Sequence, residues 1–370
     1  MKILSVFGTR PEAVKMAPIV RLLAQSKEID SRVCVTAQHR HMLDQVLELF
    51  LIKPDHDLDL MREGQSLAQL TAGIFLNLDP VLEAIQPDWV LAVGDTTTVV
   101  TTCQLAFYRR IKFGHVEAGL RTHNKWHPFP EEINRRLAST MTDLHFAPTA
   151  WSQGNLLREG VAEKDIVVTG NPVIDALKYV AGQDEPQEIT ELLGRFEGKR
   201  VILVTAHRRE NFGQPIENIC LALRELASRG DVEIVYPVHL NPNVQEPVYR
   251  ILKGVDGITL LPPLDYLPLV HLMKHSTLIL TDSGGLQEEA PSFGVPVLVL
   301  RETTERPEGV EAGTLKLVGT VMSHIVQEAK RLLDDESEYK KMAKASNPYG
   351  DGHAAERIVQ ALLERGDSRL

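Results

Sequence analysis

Cysteine is scarce in this 370-residue chain: Cys34, Cys103 and Cys220 each fall inside an apolar strand or helix pattern, and none has metal-ligand spacing. Three thiols cannot all pair, so a disulfide framework is excluded and a reducing compartment, the cytoplasm, is expected. No apolar run reaches membrane-spanning length, and the opening Lys2-Ile3-Leu4-Ser5-Val6-Phe7 runs straight into a turn without the pattern of a secretory leader. Neither export nor a membrane anchor is expected. Positive charge is not in excess either: 40 Lys and Arg stand against 50 Asp and Glu, a net −10, which argues against nucleic acid or an anionic membrane as the main partner. Motifs of several chemistries are missing as well. No HxxxH pair among the 13 histidines carries the acid of a zinc site, and there is no GxSxG nucleophile, no P-loop lysine motif and no GxGxxG after the first strand. Serine hydrolysis, P-loop phosphoryl transfer and hydride transfer on NAD are thereby disfavoured, and neither a metal nor a cofactor is expected.

What is present is a chain 43% hydrophobic and long enough for two buried cores. Short β-branched runs at residues 3–7, 32–36, 89–93, 113–117 and 144–146 alternate with amphipathic helical stretches, the signature of a parallel sheet covered on both faces. After the polar stretch 181–187 the pattern restarts, with strands expected at 201–205, 233–238, 258–261, 277–280 and 297–300. The expected fold is α/β, with two Rossmann-like, doubly wound domains facing a central cleft. Their bounds are placed at 1–170 and 171–352. Ligands of such sheets bind beyond the carboxyl ends of the strands, so candidate functional residues are those just after strands.

The most telling stretch is Thr281-Asp282-Ser283-Gly284-Gly285-Leu286-Gln287-Glu288-Glu289, which follows an apolar strand and opens a helix. Ser283 can cap that helix, Gly284 and Gly285 free backbone amides to face an anion, and Glu289 lies one turn in, where a ribose hydroxyl pair could be held. A nucleotide diphosphate is the leading ligand. In the first half, Pro11 and Glu12 suit a helix start, which puts Arg10 at its mouth with Lys15 on the same face, two cations for one anion. Asp95 follows a strand and either caps the next helix or does chemistry. Glu117 ends a strand beside Gly119, an unusual packing choice for an acid, although Arg121 is near enough in sequence to neutralise it. Glu131 and Glu132 open a helix after Pro130. Helix-start acids are common, so Glu132 reads as structural and Glu131 as evenly balanced. His207 follows a strand among Arg208 and Arg209, cations that would help hold its imidazole neutral near pH 7, and His239 is a similar, weaker candidate.

Taken together, Gly8-Thr9-Arg10-Pro11-Glu12, Gln38-His39-Arg40, Gly94-Asp95-Thr96-Thr97-Thr98, His115-Val116-Glu117-Ala118-Gly119-Leu120-Arg121, Pro130-Glu131-Glu132, His207-Arg208-Arg209-Glu210-Asn211, Asp282 to Pro291 and Thr303 to Glu308 resemble the non-hydrolysing UDP-N-acetylglucosamine 2-epimerases of bacteria. The resemblance implies a fold of glycosyltransferase-B type, with a last helix, here 353–370, crossing back onto the first domain. It implies reversible conversion of UDP-N-acetylglucosamine to UDP-N-acetylmannosamine by elimination of UDP, a 2-acetamidoglucal intermediate and re-addition, without a redox cofactor. Asp95, Glu117, Glu131 and His207 match the family's catalytic positions. Arg10, Lys15, His239, Ser283, Gly284, Gly285 and Glu289 match its UDP contacts. Gln38, His39, Gln65, Glu131 and Arg208 match a second, activating substrate site, with Gly64 standing where some members have arginine. The family also implies a homodimer. A glycosyltransferase of the same fold and a catalytically silent nucleotide-sugar sensor are the competing readings.

Overall fold

The computed structural model describes residues 1–37, 40–60, 62 and 64–366, and the side chains of all these except 40–42. The chain divides into two compact units, Met1–Ala176 with Tyr349–Leu370, and Leu177–Pro348. The first unit holds β1 (Lys2–Phe7), β2 (Asp30–Val35), β3 (His56–Asp57), β4 (Trp89–Val93), β5 (Lys112–Val116), β6 (Leu144–Ala147) and β7 (Ile166–Val168). They form one sheet in the order β3-β2-β1-β4-β5-β6-β7 with every neighbour parallel. In the second unit β8 (Arg200–Thr205), β9 (Val232–Pro237), β10 (Ile258–Leu261), β11 (Leu278–Thr281), β12 (Val297–Val299) and β13 (Leu315–Leu317) form a parallel sheet in the order β10-β9-β8-β11-β12-β13.

Parallel strands need crossovers, and the helices that make them cover both faces of each sheet. This is why the central strands are continuous apolar runs: Ile3, Leu4, Val6 and Phe7 of β1, and Ile202, Leu203 and Val204 of β8, have no solvent exposure. On one face of the first sheet Leu4, Val6, Val90 and Ala92 pack with Leu78, Leu82 and Cys103 of the flanking helices. In the second unit Ile202, Val204, Ile234 and Tyr236 pack with Ile219, Leu223 and Ile325. Three short strands, β3, β7 and β13, go beyond the set expected from the sequence. All are sheet edges of two or three residues: β3 and β13 carry polar residues, and β7 is an apolar run of only three, Ile166-Val167-Val168.

Each sheet reverses its strand order once, between β1 and β4 in the first unit and between β8 and β11 in the second. At such a reversal the connections leave to opposite sides and open a crevice at the carboxyl ends of the strands. The helix Ala354–Arg365 belongs to the first unit, where it packs against helix Arg10–Gln25. Its first amides, of Ala354 and Ala355, donate to the Asp175 carboxylate at 3.2 and 2.9 Å, and Arg357 donates to the Thr169 carbonyl at 2.9 Å.

Candidate active site

In the first unit the crevice begins at Gly8 and Thr9. Thr9 caps helix Arg10–Gln25 in a capping box with Glu12, with Pro11 in the first turn. The buried Glu12 carboxylate accepts the amides of Gly8 and Thr9 at 2.9 and 2.7 Å, and its other oxygen accepts the Thr96 hydroxyl at 2.5 Å. One acid thus ties the arginine-bearing turn after β1 to the aspartate-bearing turn after β4, although burial pushes its carboxyl pKa up. The side chain of Arg10, the first residue of that helix, makes no hydrogen bond or ion pair with any described residue.

Lys15 lies one turn further on and reaches Glu117, Nζ to Oε1 at 2.5 Å, with the side chains 16% and 4% exposed. The Asn171 amide donates to the same oxygen at 2.9 Å. Arg121 does not neutralise Glu117: its guanidinium is turned to Glu159, at 2.7 Å, and to the Ser139 hydroxyl. The reason lies in the backbone, because β5 ends at Val116 and Glu117 sits just past it with φ 61, a left-handed conformation that a residue with a Cβ adopts at a cost of roughly 1 kcal/mol or more. Gly119 follows at φ 93, and a Cβ there would stand 2.3 Å from the Ser152 carbonyl.

Asp95 does not cap the next helix. Thr96 occupies the cap position of helix Thr97–Tyr108, without a side-chain cap bond, and the Asp95 carboxylate instead lies 3.6 Å from Arg135. Asn134 donates to the Asp95 carbonyl at 2.9 Å. Both partners come from helix Glu131–Met141, so the turn carrying Asp95 and the helix start carrying Glu131 are held to each other. Glu132 is structural, as expected: fully buried, it accepts the amides of Thr122 and His123, both at 3.0 Å.

In the second unit the reversal between β8 and β11 is fastened by the Thr205 and Thr281 hydroxyls, 2.6 Å apart. His207 leaves β8 and His239 leaves β9, and their rings stack at 5.1 Å with 17° between planes. The His207 pKa lies below the usual imidazole value. Burial is the leading cause, with His239 and Arg208 adding to it and the Asp282 carboxylate opposing it. The imidazole is therefore neutral near pH 7, but desolvation contributes more to this than the neighbouring cations.

Ser283 heads helix Gly284–Glu289 without making a cap bond, so its expected capping role is not realised; its amide donates to the Thr281 hydroxyl at 2.9 Å. Gly284 is needed for another reason: the Arg306 guanidinium lies where a Cβ would stand, within 2.6–3.0 Å, and its Nε donates to Glu288 at 2.6 Å. Glu289 is buried and accepts the Tyr266 hydroxyl at 3.3 Å. Of the expected activating positions, Gln38 and His39 lie outside the described residues. Gln65 stands just before the cap of helix Leu67–Ile85, and Arg208 belongs to the second unit, with its Nε 3.3 Å from the Asp282 carbonyl.

These strand-end residues can be compared with known proteins. The family model described as UDP-N-acetylglucosamine 2-epimerase matches residues 21–363. The chain belongs to the UDP-N-acetylglucosamine 2-epimerase family. It is 58% identical to the UDP-N-acetylglucosamine 2-epimerase of Yersinia pestis and 56% identical to that of Escherichia coli K12, in each case over 98% of both chains. Among solved structures it is similar to the Neisseria meningitidis UDP-GlcNAc 2-epimerase bound to UDP-GlcNAc, with a TM-score of 0.91 and 50% identity over 98% of this chain and 100% of that one. An S. aureus MnaA–UDP co-structure matches with a TM-score of 0.89 and 51% identity over 97% and 95%. The fold of this epimerase-family member is the α/β, Rossmann-like, glycosyltransferase-B type expected from the resemblance.

Two features of the site were not read from the sequence. Asp282 precedes the glycine pair of the expected anion loop, where an acid looks out of place, yet its carboxylate turns inward to amides of the turn after β8. Arg306 falls in the stretch Thr303 to Glu308, where its neighbours in sequence suggest no role, and only the fold lays it over Gly284. Among the described residues no cluster of His, Cys, Asp and Glu is arranged to hold a metal ion.

Proposed function

We propose that this protein interconverts UDP-N-acetylglucosamine and UDP-N-acetylmannosamine by reversible epimerisation at carbon 2 of the sugar. The proton on carbon 2 is not next to a carbonyl and is hard to remove directly. Anti-elimination solves this: a base takes that proton, the bond from carbon 1 to the diphosphate oxygen breaks, and UDP leaves a 2-acetamidoglucal. Re-addition of UDP, with the proton delivered to the opposite face of carbon 2, gives the epimer. The route needs an acid–base pair and stabilisation of the departing diphosphate.

Asp95, Glu117 and Glu131 are the proposed carboxylates and His207 the proposed imidazole of this chemistry. Arg10, His239, Ser283, Gly284, Gly285 and Glu289 are the proposed UDP contacts. Lys15 is assigned with them, and its bond to Glu117 at 2.5 Å fits that assignment, since an ammonium has three N–H donors to share between an acid and a phosphate oxygen. The observation that carries the reading is the set of three acids at the carboxyl ends of the first sheet, in a chain 50% identical to a relative solved with UDP-GlcNAc. A glycosyltransferase would need room for an acceptor where these acids stand, and a silent sensor would have no use for them. Activation by a second substrate molecule through Gln38, His39, Gln65, Glu131 and Arg208, a homodimeric assembly and a cytoplasmic location complete the proposal. The three buried, free cysteines support that location.

Incubation with UDP-N-acetylglucosamine in deuterated water, followed by NMR of the sugar, tests the reading. Deuterium is expected at carbon 2 of both epimers with UDP retained. Release of free N-acetylmannosamine would point to hydrolysis, and no exchange at carbon 2 would point to a transferase or sensor.

A further inference from the structure

Asp282 is fully buried, yet among the described residues no Lys or Arg ion pair compensates its carboxylate. A charge in that position is costly unless donors converge on it. Here they do. The His207 amide lies 3.1 Å from Oδ1 and 2.9 Å from Oδ2, the Arg208 amide donates to Oδ2 at 2.8 Å, and the Asn211 side chain donates to Oδ2 at 2.9 Å. The Asp282 amide in turn donates to the Thr205 carbonyl at 3.1 Å, and the Asp282 carbonyl accepts Arg208 Nε at 3.3 Å. The turn after β8 is thus gathered around one side chain delivered by β11, across the reversal of the sheet.

An amide oxygen offers two lone pairs, and an amide in this place would also turn N–H donors toward the turn after β8, whereas a carboxylate accepts with both oxygens, here with three donors meeting at Oδ2. The negative charge has a second consequence. His207 Nδ1 stands 3.9 Å from Asp282 Oδ1, too far for a hydrogen bond and close enough for the charge to act. Among the described residues the charged groups that act on the His207 ring are Asp282 from the β11 turn, His239 from the β9 turn and its neighbour Arg208; the first favours the imidazolium and the other two oppose it.

We propose that Asp282 is a positioning residue for the epimerase reaction, acting through His207: it places the imidazole by binding its backbone and sets a negative charge 3.9 Å from the ring. The inference rests on the catalytic role proposed for His207. It assigns Asp282 no contact with the substrate.

The test uses the full-length protein with Asp282→Asn, an NMR titration of labelled histidine with the His207 signal assigned from His207→Ala, and the pH profile of kcat/KM. The His207 midpoint is expected to fall by about half a unit or more, because the charge that opposes desolvation is gone. The limb of the pH profile that reports His207 is expected to move to lower pH with it. kcat should fall about tenfold or more, and on the His207→Ala background the same change should cost less than about twofold. An unmoved midpoint, or equal losses with and without His207, overturns the proposal. If the wild-type protein does not epimerise, the functional reading fails while the titration still decides for or against Asp282. Should Asp282→Asn not fold, Asn211→Ala keeps the carboxylate and removes one of its anchors. A kcat lowered about threefold or more with faster exchange of the His207 amide supports the proposal, and wild-type values of both overturn it.

Discussion

The Lys15–Glu117 pair shows what a side chain's neighbours decide that its identity does not. From the sequence Lys15 was a cation for an anionic ligand and Glu117 an acid with Arg121 at hand, whereas the fold joins Lys15 to Glu117 and gives Arg121 to Glu159. Removing one partner of a pair this well buried leaves a charge poorly compensated, so Lys15→Met should destabilise by about 3 kcal/mol in urea unfolding. Most of that loss should return in Lys15→Met with Glu117→Gln, and a strictly additive double variant would show the two groups to be independent. Catalytic roles are a separate matter at the same scale. Asp95→Asn and His207→Ala should each lower kcat by roughly a hundredfold or more, as loss of an acid, base or charge-stabilising group does. Wild-type turnover in either variant removes that residue from the mechanism.

Elements were legible where they are long and central. The β1, β4 and β8 runs were placed within a residue of their bounds because a strand covered on both faces must be apolar throughout. The edge strands carry no such requirement: β3 and β13 include polar residues, and β7 is an apolar run of only three residues. Strand ends were legible as places and not as geometry: Glu117 was assigned to the end of β5 but lies beyond it, and Ser283 heads its helix without bonding to it. The turn after β5 depends on Gly119. At φ 93, with a carbonyl 2.3 Å from any Cβ, Gly119→Ala combines backbone strain with a clash and should cost about 3 kcal/mol or more. Thermal unfolding measures it, and a Tm within a degree of wild type would mean that the turn relaxes freely.

For the molecule as a whole, two buried imidazoles on adjacent strands couple stability to acid. His115 of β5 and His145 of β6 are paired in register, and burial lowers their pKa values to about 4 and about 3. In the unfolded chain both take up protons near the ordinary value of about 6.5, so between that pH and the folded values the unfolded state binds more protons. Stability is therefore full above about 6.5 and is lost as pH falls, by about 3 kcal/mol for His115 and about 4 kcal/mol for His145 once each folded value is reached. Urea midpoints at pH 7 and pH 5 should differ accordingly, and His145→Asn should flatten the slope. A slope unchanged by that substitution would place the acid sensitivity elsewhere.

By itself the amino-acid sequence determined the α/β class, the two repeats of a parallel pattern, the family and the positions at which acids, histidines and cations leave the strands. These are legible because hydrophobic periodicity and turn chemistry are local. Which of those groups touch was decided only by the tertiary structure: Lys15 with Glu117 across a sheet, Glu12 with Thr96 across a strand reversal, Asp282 with the amides of His207 and Arg208. Such contacts join residues some 75 to 100 positions apart, and their partners are chosen by strand order and register, which no local pattern encodes.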